Sequence, residues 1–180
     1  MNQLAIAKNK FTAEDLLKEN LAAVFAILKK PDLDQEAKKN KIIEIINSIF
    51  DLSLTAKLTL GRKNWSGLTL QQKERFTQLF AKYLGVFYLD YLMLYTDEKV
   101  FYEVPVEVRK KVYIPTVLVS KEKKISILYK LYKSGSHWKI YDLEIQGVST
   151  IRSYRSQFRD LLKSGTFDDL LAKLEQLVND

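Results

Sequence analysis

Trp138-Lys-Ile-Tyr-Asp-Leu-Glu-Ile-Gln-Gly-Val-Ser149, followed after four residues by Tyr154-Arg-Ser-Gln-Phe158, joins an alternating strand to an amphipathic helix through a single glycine. Almost no polar atom in this stretch suits catalysis. What it offers instead is apolar and aromatic surface at both strand and helix spacing.

Working upstream, the period of two begins at Val100. Val100, Tyr102, Val104, Val106 and Val108 fall on one face, opposed by Glu103, Glu107 and Arg109. Arg109-Lys110-Lys111 reads as a turn, and Val112, Ile114, Thr116 and Leu118 as a second strand. Lys121 to Lys124 make the next turn; Ile125, Ile127, Tyr129 and Leu131 form a third strand. Lys133 to Ser136 then lead into the fourth, Trp138 to Gln146. Four strands with short turns predict an antiparallel meander. Its apolar face must be covered, and helices are the available cover. Pro105 and Pro115 mark edges or bulges in the first two strands.

The first half of the chain supplies those helices. Thr12 with Asp15 reads as a capping box before Leu17, Leu21, Val24 and Leu28, and Pro31 stops the run. Asp34 caps a second helix bearing Ile42, Ile45, Ile46 and Ile49. A short helix from Ser53 to about Leu60 ends at Gly61, and Gly61 to Gly67 reads as a loop whose Trp65 docks on the core. Thr69 opens a long helix in which Phe76, Phe80, Tyr83, Phe87 and Tyr91 form a stripe widened by Leu79, Leu84, Tyr88 and Leu92. So broad a stripe should meet apolar groups on more than one side. Gly85, in its middle, points to close packing. Two closing helices carry Ile151, Tyr154, Phe158 and Leu161, then Leu170, Leu174 and Leu177, with Gly165 between them. The fold class is therefore α+β: a four-stranded antiparallel sheet with about six to seven helices.

Composition narrows the function classes. With 180 residues and no linker or repeat, one domain with a real core is expected. Ten Tyr and nine Phe exceed what a small core requires, which suits a dense core or the lining of an apolar cavity. The formal charge of +7 favours approach to anionic lipid surfaces or acidic partners. Lys and Arg are dispersed among 22 acids, with no basic arm, so nucleic acid is not an expected partner. The chain has no cysteine, which excludes disulfides, thiolate zinc sites and thiol nucleophiles. Met1 to Lys8 is too short to be a signal peptide, and no apolar run has the ~18 residues of a membrane span.

Catalytic and metal constellations fare poorly. His137 is the sole histidine and sits beside a turn, so no triad or multi-His metal site can be built. Asp97/Glu98, Glu103/Glu107 and Asp168/Asp169 read as solvated faces. Asp142 and Glu144 share the Trp138/Ile140 side of their strand, which places them inward or at a strand end emerging into solvent. Arg152, Arg155 and Arg159 line a second face of the penultimate helix; this is a solvated face, or a contact for an anionic head group or acidic partner. No catalytic residue, metal ligand or cofactor site is assigned.

Several segments together resemble the MlaC, or toluene-tolerance, family. They are Phe50-Asp-Leu, Leu60-Gly-Arg-Lys-Asn-Trp65, Leu68-Thr-Leu-Gln-Gln-Lys-Glu-Arg-Phe76, Leu79-Phe80 and Tyr83-Leu84 in the helical half. In the second half they are Trp138 to Asp142, Gln146 to Ser149, Tyr154 to Phe158 and the Gly165 to Leu174 tail. The resemblance runs from about residue 11 to 178. It implies a sheet like that of nuclear-transport-factor folds, wrapped by helices around an apolar cavity. It further implies a periplasmic carrier of diacyl phospholipid in Gram-negative bacteria, which maintains outer-membrane lipid asymmetry. The implied partners are an outer-membrane lipoprotein–porin complex and an inner-membrane ABC transporter complex with its substrate-binding subunit, served by a monomer.

On this reading residues 1–10 are a tail left after signal removal, and residues 11–180 are one lipid-binding domain: a helical part over 11–96, the sheet over 99–146 and closing helices over 149–178. The expected cavity lining is Phe76, Phe80, Tyr83, Phe87, Ile127, Tyr129, Tyr141, Tyr154 and Phe158. Head-group or partner contacts are expected at Arg152, Arg155 and Arg159. The competing classes are a small enzyme on a cone-shaped α+β fold, which needs convergent polar groups, and an interaction module, which needs a filled core.

Overall fold

Capping chemistry sets where the helices begin. In the computed structural model, which describes residues 11–93, 99–120 and 123–179, the Thr12 hydroxyl accepts the Asp15 N–H at 3.1 Å, while the Asp15 carboxylate accepts the Thr12 N–H at 2.9 Å. The pair satisfies donors that a first turn leaves free and starts α1 (Ala13–Leu28). Asp34 caps α2 (Gln35–Ile49) through the Ala37 N–H. Asp51 caps α3 (Leu52–Leu60), one residue before the expected start at Ser53. Gly61, at φ +81°, ends α3 and opens a short α4 (Arg62–Ser66) where the sequence predicts a loop. Thr69 and Gln72 repeat the capping box at α5 (Leu70–Met93). The expected tail over 1–10, the Tyr91 side chain, the Asp97/Glu98 pair and Lys121 lie outside the described residues.

The sheet follows: β1 (Lys99–Tyr102), β2 (Val106–Val108), β3 (Lys111–Ser120), β4 (Lys123–Ser134), β5 (His137–Ile145) and β6 (Val148–Ser149). Then come α6 (Thr150–Ser164) and α7 (Phe167–Asn179). All pairings are antiparallel, in the order β1-β3-β4-β5-β6, with β2 also on β3. The α+β class and meander are as the sequence predicts, but the sheet has six strands where four are expected. Two local breaks account for the difference.

The first break is at Pro105. The expected strand from Val100 to Val108 splits into β1 and β2, and its alternation flips across the gap. Tyr102 faces the core with Thr116, while Val106 lies opposite Tyr113 on the other face. Pro115, mid-β3, sits opposite this gap and its carbonyl accepts the Glu103 N–H at 3.0 Å. Because the N and C=O of an antiparallel residue point to the same side, its missing N–H faces the interrupted edge rather than β4. The second break is Gln146-Gly147, with φ +50° and +79°, a two-residue turn of the primed kind that folds β6 back on β5.

Three apolar clusters hold the layers together. Ala13 and Leu17 of α1 join Ile49 and one sheet face made of Val112, Ile114, Tyr129, Leu131 and Ile140. Val24, Leu28, Ile42 and Leu89 tie α1, α2 and α5 together. Ala56, Leu60, Phe76, Phe80, Tyr154, Phe158, Leu170, Leu171 and Leu174 join α3, α5, α6 and α7, with Trp65 packed against them.

Candidate functional site

Between the three clusters the packing fails to close. A cavity of about 140 Å³ remains, lined by Ile43, Ile46, Asn47 and Phe50 at the end of α2 and by Leu52 and Thr55 of α3. Ala81, Leu84, Gly85, Tyr88, Leu89 and Leu92 of α5, Tyr141, Asp142 and Leu143 of β5, and Thr150 of α6 complete the wall. The volume is close to the ~150 Å³ of an engineered apolar cavity that takes up benzene.

Gly85 keeps this space open. The sequence points to close packing at Gly85, and the structure shows the opposite: an added Cβ would meet only Leu89 Cδ1, at an ordinary 3.9 Å. Ala81 and Gly85, one helical turn apart, give α5 a low wall flanked by Leu84, Tyr88, Leu89 and Leu92.

Across from α5 the wall depends on a β-bulge. Leu131 pairs with Ile140 and Lys130 with Asp142, which leaves Tyr141 as the extra residue. A one-residue slip flips every later side chain to the other face. Asp142 and Glu144 therefore share the Lys130 and Leu128 face, not the Trp138/Ile140 face that simple alternation predicts. Asp142 is only 5% exposed, so the alternative of a strand end emerging into solvent does not hold for it. The Tyr141 hydroxyl lies 3.4 Å from that of Tyr113, and its main-chain carbonyl accepts the Thr55 hydroxyl at 2.9 Å, which ties α3 to the cavity wall.

Asp142 is inward, one of the two positions the sequence leaves open for it, but on the other face and with partners that the sequence does not indicate. Its carboxylate accepts Lys130 Nζ at 3.0 Å, Ser149 Oγ at 2.8 Å and the Ile151 N–H at 3.1 Å. Lys130 also meets Glu144 at 2.9 Å. Burial alone would lower the Lys130 ammonium, but the Glu144 and Asp142 carboxylates outweigh it and hold it above the usual lysine value. The signal in the sequence is the adjacent apolar pair Ile140-Tyr141, where the alternation changes phase. The only carboxylate among the described lining residues is thus satisfied by structural partners. No group of three or more His, Cys, Asp or Glu that could hold a metal occurs among the described residues.

The expected lining residues separate into groups. Tyr141 lines the cavity. Phe76, Phe80, Tyr154 and Phe158 form a closed aromatic cluster, with Phe80 ring centroids 5.2 Å from Tyr154 and 5.4 Å from Phe158. Tyr83 packs on that cluster, 5.7 Å from Tyr154. Burial, with Tyr88 and Tyr83 as hydroxyl neighbours, pushes the Tyr154 phenol well above its ordinary value. Phe87, 44% exposed, packs outside, tilted against Tyr83 and edge-on to Tyr88. Ile127 and Tyr129 pack on the sheet face under α1.

The three arginines are not brought together on the cavity wall. Arg155 donates to the Leu58 carbonyl at the end of α3, with its Nε at 2.7 Å. Arg152 lies 3.6 Å from Glu144, and Arg159 donates to Ser156 at 3.1 Å. His137 is exposed at the start of β5, in keeping with a turn residue.

Among the described residues no helix is long and apolar enough to cross a membrane. No match is found among curated proteins. Among solved structures, the chain is similar to a phospholipid-binding protein from Ralstonia solanacearum, determined in complex with a phospholipid. The two superpose with a TM-score of 0.82 at 23% identity, over 93% of this chain and 97% of that one. A family model described as MlaC protein matches residues 18–176, which is nearly the whole of the described fold, and the chain belongs to the MlaC family.

Proposed function

We propose that this protein is a soluble periplasmic carrier that holds a diacyl phospholipid in the cavity between α2, α5 and β5. The observation that carries the reading is an almost wholly apolar cavity, in a chain of the MlaC family, where three core clusters meet without closing. The phospholipid complex of the similar Ralstonia protein supports the same cargo. On this reading the lipid is cargo, and no cofactor takes part.

The physics suits such a wall. Two ~16-carbon tails in water cost on the order of 20 kcal/mol at ~0.8 kcal/mol per methylene. A carrier must replace most of that contact non-directionally and still release its load, which aliphatic and aromatic walls do. At about 140 Å³ the cavity accommodates only a short part of an acyl chain. Loading therefore requires its walls to part, and the Tyr83/Phe87 side of α5, with Tyr154 of α6, can then join the lining. The engaged state of Asp142 favours a carrier over an enzyme, since its carboxylate already has three donors.

In the cell, the protein moves lipid as a monomer between an outer-membrane lipoprotein–porin complex and the substrate-binding subunit of an inner-membrane ABC transporter, maintaining outer-membrane asymmetry. This part of the reading rests on the family. The test is uptake: the protein is incubated with phospholipid vesicles, separated from them and extracted. Phospholipid in stoichiometric amount supports the carrier; a protein that stays lipid-free contradicts it.

A further inference from the structure

Only one face of the sheet is covered by α1. On the other, Phe101 lies across from Val117 and Val106 across from Tyr113. Phe101 is 54% exposed and Val106 53%, and Val104, in the gap between β1 and β2, is 82% exposed. Val108 is exposed beside them. Clustered apolar exposure of this kind marks an interaction surface rather than scattered surface residues.

Basic residues flank the cluster in sequence and in space. Lys99 precedes it, and Arg109, Lys110 and Lys111 follow; among the described residues of this margin all four are exposed, against two exposed carboxylates, Glu103 and Glu107. The Lys111 ammonium also lies 4.6 Å from the Tyr141 ring centroid. The described residues of this margin carry a positive balance, of the same sign as the net +7 of the chain.

We propose that this β1–β2 margin docks on an anionic phospholipid surface. Strand addition by a peptide is poorly served, because β1 and β2 are short and Pro105 interrupts the row of free N–H and C=O groups. A second copy would bring the same cations against themselves. A lipid leaflet needs no strand pairing: apolar side chains enter the interface while Lys and Arg stay among the phosphates. β1 is separated from β5 by β3 and β4, while Lys111 of β3 reaches the Tyr141 ring, so the margin adjoins one end of the cavity wall. The inference does not depend on what the cavity holds.

Co-sedimentation with sucrose-loaded vesicles tests it, comparing phosphatidylcholine alone with mixtures containing phosphatidylglycerol. The intact protein is expected to sediment with the anionic vesicles only, and less as salt is raised. Two exposed-site variants are compared. In Arg109→Asn/Lys110→Glu, Asn suits the φ of +59° at position 109. The second is Val104→Ser/Val106→Ser. Each is expected to bind about tenfold more weakly, with an unchanged thermal midpoint and unchanged lipid content. Failure of the intact protein to sediment with anionic vesicles overturns the proposal. So does full binding by the valine variant, which would reduce the effect to net charge. Lipid appearing on the protein without co-sedimentation reports the cavity and counts against docking.

Discussion

The Asp142 carboxylate, on β5, accepts the main-chain N–H of Ile151, in the first turn of α6, at 3.1 Å. A strand residue thus caps a helix that begins only after the next hairpin, and the same carboxylate holds Ser149 and Lys130. Because Asp142 and Thr150 both line the cavity, this link fixes the position of α6 against its wall.

Asp142→Ala should therefore be strongly destabilising. It frees the Ile151 N–H and leaves the Lys130 ammonium with Glu144 as its remaining carboxylate. A loss of about 3 kcal/mol is expected in denaturant unfolding. A change below about 0.5 kcal/mol, the usual range for a surface site, contradicts the capping role.

Alkaline pH should destabilise the fold from two sources. Lys130 is held above its ordinary 10.5, so its contribution is complete below that pH and is lost as pH rises through the higher folded-state value. Burial raises the phenols of Tyr129 and Tyr154 above 10.0. Above that pH the unfolded chain ionises while the folded one holds its protons, so stability falls there too. Thermal midpoints are expected to fall above about pH 10, and to fall less steeply in Tyr154→Phe. A flat profile contradicts the burial of these groups.

Phe80→Ser and Ile43→Asp should separate core from cavity. Phe80 is buried against Tyr154 and Phe158, and its loss is expected to cost about 3–5 kcal/mol. Ile43 lines the cavity from an exposed position on α2, so a carboxylate there should reduce bound lipid with little change in unfolding. If Ile43→Asp instead unfolds the protein while bound lipid holds, the wall is misassigned.

Much of the fold was legible because helix caps and alternation are local. Thr12/Asp15, Asp34 and Thr69/Gln72 act within three residues, and all begin helices where the sequence predicts. The cavity was not, because it depends on register. The bulge at Tyr141 turns Asp142 and Glu144 onto the opposite face, and alternation alone would not reveal that. The α5 stripe is two-sided, as its breadth predicts, but spacing does not say which side closes. Phe76 and Phe80 meet α6 rings, whereas Ala81 and Gly85 meet empty space.

The most direct measurement is native mass spectrometry of the intact protein and of Gly85→Phe after exposure to phospholipid vesicles. Position 85 is helical and lines the cavity, and an added Cβ there meets only Leu89 Cδ1 at an ordinary 3.9 Å, so a side chain at 85 takes up cavity space. The account predicts an adduct of diacyl phospholipid mass on the intact protein and its loss in Gly85→Phe, with an unchanged thermal midpoint. An equal adduct on both proteins would place the lipid elsewhere and contradict the cavity assignment.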